Sequence, residues 1–165
     1  MELTDEQLVG GALEAREHAY VPYSHFAVGA ALLAEDGTVY QGCNIENAAY
    51  TPCNCAERTA FFKAVYEGQR HFSAIAVVGG PEGLPVSDWC TPCGVCRQVM
   101  REFWDPDSFR IIVARSPEER RSLLLRDLLP EGFGPEDLGH HRADETGGVT
   151  PYEDVRHHRE QARRP

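Results

Sequence analysis

Six cysteines fall in two short stretches of this chain, at positions 43, 53 and 55 and again at 90, 93 and 96. Clustering of this kind suits metal or thiol chemistry better than a disulfide framework. In Thr91-Pro92-Cys93-Gly94-Val95-Cys96 two cysteines are separated by two residues, and Cys55 lies 38 residues before Cys93 with Ala56 and Glu57 directly after it. A run of helix-forming residues follows each cluster, so both place sulfurs at helix starts. Unpaired N–H groups and the positive end of the helix macrodipole favour thiolates there. Three such sulfurs can hold a zinc ion. A catalytic zinc keeps three protein ligands and leaves the fourth tetrahedral position for water, whereas a structural zinc is closed by a fourth ligand.

Other readings of the same cysteines stand beside this one. Cys53 or Cys90 as a fourth ligand would make the site structural. Cys90, Cys93 and Cys96 share spacing with part of an iron–sulfur motif, but Met100 occupies the position where its next cysteine belongs. A cysteine–histidine nucleophile would need a histidine that neither cluster has close by in sequence. Left-over cysteines act as small buried hydrophobes. Glu57 is the discriminating residue: two positions after a ligand, its carboxylate can face water at the metal without binding the metal. The plain alternative is an acidic residue placed favourably at a helix N-terminus.

The surrounding pattern supplies the elements that would hold these residues. Thr4 with Gln7 forms a capping box, and Leu8, Leu13 and Ala15 give an apolar stripe running toward His18, interrupted by Gly10-Gly11. Residues 25–34 and 38–43 read as two strands joined by Glu35-Asp36-Gly37, a hairpin signal. Cys55 to Glu67 reads as a helix stopped by Gly68. Residues 73–79 form an unbroken apolar strand with both faces buried, closed by a Gly/Pro-rich stretch at 79–85. A second helix from about Cys93 through Trp104, then a strand at 109–114, implies a right-handed parallel crossover. Ser116-Pro117 reads as a helix entry, with Leu123, Leu124, Leu125, Leu128 and Leu129 as its apolar side before Pro130. The core is expected to finish near Leu138. Residues 1–139 then make one domain, and 140–165, with five Arg, five Asp/Glu, four His and almost no apolar content, read as a polar tail with helical character at 152–164.

Composition limits the partners. At 165 residues the chain fits one domain. It contains no apolar run near the roughly 18 residues of a membrane span, and its acidic start lacks the basic, apolar pattern of a secretory signal. No membrane partner and a cytoplasmic, reducing location follow as expectations. A formal net charge of −10 disfavours a nucleic-acid partner, whose phosphates are normally met by Lys and Arg.

Cys55-Ala56-Glu57 with Pro92-Cys93-Gly94-Val95-Cys96 resembles the zinc deaminases of nucleosides and bases, whose paired motifs hold zinc and a proton-transferring glutamate. The similarity continues through Tyr23 to Ala31, Asn44 to Tyr50, Cys55 to Ala60 and Phe133 to Leu138, and together these stretches resemble the small homotetrameric cytidine deaminases with three cysteine ligands. The resemblance implies a single three-layer α/β/α domain, with a mixed sheet of about five strands and an N-terminal antiparallel hairpin. It implies one zinc per chain on Cys55, Cys93 and Cys96, with Glu57 catalytic. It further implies that Asn44 and Glu46 bind the ribose, that the Ala56 N–H and Thr91 carbonyl read the pyrimidine edge, and that Phe26 and Phe133 pack around the nucleoside. Tyr50 would reach the site of a neighbouring subunit in a homotetramer. The implied reaction is zinc-assisted hydrolysis of cytidine and deoxycytidine to uridine and deoxyuridine. Three thiolates leave zinc with a net charge of about −1, so its acidifying power needs compensation. Arg58, donating to a ligand thiolate, and the two helix N-termini are the available sources. A deaminase of larger cytosine nucleosides such as blasticidin S, a polynucleotide editor and a zinc-stabilised interaction module are the competing functions.

Overall fold

The computed structural model of the chain describes residues 3–140. The helical character expected at 152–164, and all but the first residue of the expected tail, lie outside the described residues. The described chain divides after Gly132 into two compact units.

The first unit is built on a five-stranded sheet in the order β2-β1-β3-β4-β5. Helix α1 (Asp5–Arg16) opens with the expected capping box: the Thr4 hydroxyl accepts from Gln7 N at 3.2 Å and the Gln7 side chain accepts from Thr4 N at 2.9 Å. Strands β1 (Phe26–Ala34) and β2 (Val39–Cys43) form the antiparallel hairpin, with Leu33 opposite Val39 and Gly29 opposite Cys43. Its turn needs Gly37 at φ 88°, a conformation that side chains with a Cβ resist. Helix α2 (Ala56–Tyr66) leads to β3 (Phe72–Pro81), which pairs antiparallel with β1. Helix α3 (Gly94–Phe103) crosses to β4 (Arg110–Ala114), which runs parallel to β3 with Ile75 opposite Ile111. The sheet is therefore mixed, as expected.

Alternation along the strands sorts the core into two faces. Leu8, Val9 and Ala12 of α1 pack with Ala31, Ala74, Ala76, Val78 and Ile112. On the other face Ala60, Phe61 and Ala64 of α2 and Met100 of α3 pack with Leu32, Ile75, Val77 and Ile111. This is the α/β/α layering, with β3 buried on both sides in its centre. The fit is close where α2 meets β2: a Cβ on Gly42 would overlap the Ala56 carbonyl oxygen and the Ala60 amide.

One expectation fails. Residues after Ser116-Pro117 do not enter a helix; β5 (Arg120–Leu124) returns antiparallel along β4, with Ile112 opposite Ser122, before a single turn, α4 (Leu125–Leu128). Serine then proline also begins a β-turn, because the fixed φ of proline suits the second turn position as well as the first helical one. Here the Ser116 hydroxyl accepts from Glu119 N at 3.1 Å and the Arg115 amide donates to the Glu119 carbonyl at 2.9 Å, closing a hairpin. Of the leucines assigned to that helix, Leu125 alone is fully buried. The unpaired edge of β4 outweighs local helix preference.

The second unit, taken by itself, is described from Phe133 to His140. It contains one 3-10 turn, Pro135–Leu138, which ends at Gly139 with φ 73°.

Candidate metal centre and active site

Cys55 is the N-cap of α2, Cys93 is the N-cap of α3, and Cys96 lies in the first turn of α3. Neither N-cap side chain bonds back to its helix, so both sulfurs remain available while the helix amides point toward them. The Cys55 and Cys93 sulfurs are 3.8 Å apart, and all three sulfurs lie within 4.8 Å of one another. A tetrahedral zinc with sulfurs at about 2.3 Å requires sulfur–sulfur separations of about 3.8 Å, so the set fits the ion. Among the described residues, the group able to hold a metal consists of these three. Cys53 instead accepts from Asn47 N at 3.2 Å. Cys90 faces Gly79, where an added Cβ would stand 2.7 Å from its sulfur.

The electrostatics suit a cation. The Cys96 thiol donates toward Cys55 and, with help from Arg58 and Cys93, brings Cys55 down to about 5. Sharing that proton, together with burial, pushes Cys96 well above the usual thiol range. Arg58 Nη2 lies 3.5 Å from the Cys55 sulfur, and the thiolates beside it raise the guanidinium further. The Arg58 Nε is buried with no hydrogen-bond partner among the described residues. Burial raises Cys90 to about 11.

Glu57 sits in the first turn of α2 and is 4% exposed. Burial pushes its carboxyl up to about 7, with the negative Cys55 adding to the rise. A carboxyl poised there suits proton transfer in both directions near neutral pH.

Cys55 lines a cleft of about 460 Å³ together with Tyr23, Asn44, Glu46, Tyr50 and Arg58, among others, a size suited to a small ligand. Asn44 accepts from Val28 N at 2.8 Å and donates to Phe26 O at 2.9 Å, which holds it rigidly while leaving one amide hydrogen and one lone pair for a ligand. Glu46 accepts from Tyr23 N at 2.9 Å and Ser24 N at 3.2 Å. The Ser24 hydroxyl and these amides lower its carboxyl. Tyr50 is 71% exposed, has φ 60° and meets the Tyr23 ring edge-on at 6.2 Å. Ala56 is fully buried at the first helical position, where its N–H has no partner within the helix. Phe26 begins β1 and is partly exposed, and Thr91 is exposed. Phe133 belongs to the second unit and is exposed on it.

Two residues outside the sequence motifs, Asn54 and Arg97, also frame this site. Asn54 donates to the Thr59 hydroxyl at 3.1 Å and pairs with Ile45 through the backbone. Arg97 donates to the Pro92 carbonyl at 2.7 Å. Its place next to Cys96 was the available signal.

Comparison with known proteins agrees with this geometry. Residues 3–110 match the family model for the cytidine and deoxycytidylate deaminase zinc-binding region. The chain is 54% identical over 135 residues to a cytidine deaminase of Sporosarcina psychrophila, covering 82% of this chain and 95% of that one. It is 40% identical over 135 residues to a cytidine deaminase of Mycobacterium tuberculosis, covering 82% and 93%. Among solved structures, a cytidine deaminase from Burkholderia pseudomallei matches with TM-score 0.71 and 47% identity, over 79% of this chain and all of that one. Three cysteines at two helix starts, a buried glutamate beside them and these similarities place the chain in the zinc-dependent cytidine deaminase family.

Proposed function

We propose that the chain hydrolyses cytidine and deoxycytidine to uridine and deoxyuridine with release of ammonia, using one zinc ion per chain. The observation that carries this reading is the convergence of Cys55, Cys93 and Cys96 within 4.8 Å, with the buried carboxyl of Glu57 two residues after the first of them. When bound, zinc would supply Lewis acidity that makes water a nucleophile near neutral pH.

The rest falls to the chain. Glu57 takes a proton from the attacking water and delivers it to the ring nitrogen, then takes the remaining proton of the added hydroxyl and passes it to the departing amine, acting as base and then acid. Water adds at the carbon bearing the amino group, the carbon–nitrogen bond breaks, and the oxygen remains as the uracil carbonyl. The Ala56 N–H and Thr91 carbonyl hold the pyrimidine edge, Asn44 and Glu46 the ribose, and Phe26 a face of the nucleoside. Arg58 offsets the charge of the thiolates. Tyr50 reaches a neighbouring subunit's site in a homotetramer. We take residues 1–139 as the catalytic domain.

Among the described residues no helix is long and apolar enough to cross a membrane, and we assign the enzyme to the cytoplasm, without nucleic-acid or membrane partners. Assaying cytidine, deoxycytidine and blasticidin S side by side tests the substrate assignment. Turnover of both nucleosides is expected, and turnover of blasticidin S alone would overturn it. Light scattering is expected to give the mass of four chains.

A further inference from the structure

The segment from Trp89 to Pro92, which leads into the ligand Cys93, is pinned at three points. Arg121 of β5 lays its guanidinium over the Trp89 ring, with Cζ 3.9 Å from the centroid, and Arg115 stands 5.7 Å from the same ring. Cys90 seats its sulfur against Gly79 of β3, where an added Cβ would come within 2.7 Å of that sulfur and 2.9 Å of the Cys90 Cβ. Arg97 of α3 donates from Nε to the Pro92 carbonyl at 2.7 Å and from Nη1 to the Leu128 carbonyl at 2.8 Å, tying the segment to α4. Thr91 lies between these pins and is exposed. Proline at 92 fixes one more torsion beside it.

We infer that Arg121 is a positioning residue for base recognition: by stacking on Trp89 it fixes the segment whose Thr91 carbonyl reads the pyrimidine edge. The inference rests on the deaminase reading above. Arg121 itself is exposed on the sheet edge and is not among the residues lining the cleft, so its influence on the substrate passes through Trp89. A segment that is loose in the free enzyme must be ordered when substrate binds, and that cost weakens ground state and transition state alike. The signature is a raised KM with kcat kept.

Arg121→Ala and Arg121→Lys, assayed with the wild-type enzyme on cytidine, test this role. Arg121→Ala is expected to raise KM about fivefold, the size of one cation–π contact, with kcat and zinc per chain unchanged. Arg121→Lys recovers part of the loss, because an ammonium also sits favourably over an aromatic ring. In a Trp89→Leu background, Arg121→Ala is expected to add nothing further. An unchanged KM in Arg121→Ala, or a full additional loss in the Trp89→Leu background, overturns the role. Should Trp89→Leu fail to fold, the alanine and lysine variants decide alone. A wild-type enzyme inert toward cytidine would strike the reaction itself, whereas an active wild type with an unaffected Arg121→Ala strikes only this role.

Discussion

Arg58 donates from Nη2 to the Cys55 sulfur at 3.5 Å and also reaches the Cys53 carbonyl at 3.5 Å. The first contact sets a cation against a ligand thiolate, and the second fixes its direction. Three thiolates otherwise leave zinc electron-rich, so this contact bears on the acidity of water at the site. Arg58→Ala is expected to lower turnover or zinc affinity by about 10- to 100-fold, the range for partners that orient metal ligands. Measured kcat and zinc stoichiometry both matching wild type would remove Arg58 from the mechanism.

Glu57→Gln separates proton transfer from metal binding. The side chain keeps its volume in a site only 4% exposed, so the variant should fold and keep its zinc. Turnover should fall by about 100- to 10,000-fold, the contribution of general acid–base catalysis. Zinc analysis of the purified variant is the check, since loss of the metal would make Glu57 a ligand or a structural residue.

Glu46 gives a pH-dependent prediction. Its carboxyl is lowered from 4.5 by the Ser24 hydroxyl and the Tyr23 and Ser24 amides. A depressed acid contributes stability that is fully present above its unfolded value and is lost as pH falls through the folded one. Wild type should therefore lose stability on acidification from about pH 4.5 downward, and Glu46→Gln should show a shallower loss there. Denaturant melts at pH 7 and at successively lower pH distinguish the two; parallel acid profiles would contradict the assignment.

Gly42 lets α2 lie directly on β2, and α2 carries both Cys55 and Glu57 at its start. A Cβ at position 42 would overlap Ala56 O and Ala60 N. Gly42→Ala is expected to cost about 1–3 kcal/mol, as overpacked cores do, and to lower activity by displacing the helix start. Chemical denaturation measures the first effect and a zinc-saturated assay the second. Wild-type stability would contradict the close packing.

Much of this was legible in the sequence because local chemistry and global fold agree. Asp36-Gly37 predicts the hairpin because its turn needs a positive φ, and the apolar run at 73–79 predicts the central strand because both of its faces are covered. The cysteine spacing gave the metal group, since each cluster begins a helix whose start must be exposed to a ligand. Ser116-Pro117 misled because helix entry and β-turn ask for the same proline torsion, and the edge of β4, distant in sequence, decides between them. The stack of Arg121 on Trp89 is invisible for a related reason: it joins a loop to a strand that carries the local signals of a helix. The expected tail, beyond His140, falls outside the described residues.

The central claim is tested most directly by measuring cytidine turnover beside zinc content in the same preparation. The account predicts one zinc per chain and conversion of cytidine to uridine, lost on chelation and restored by added zinc. Fully zinc-loaded protein that leaves cytidine and deoxycytidine untouched would contradict it.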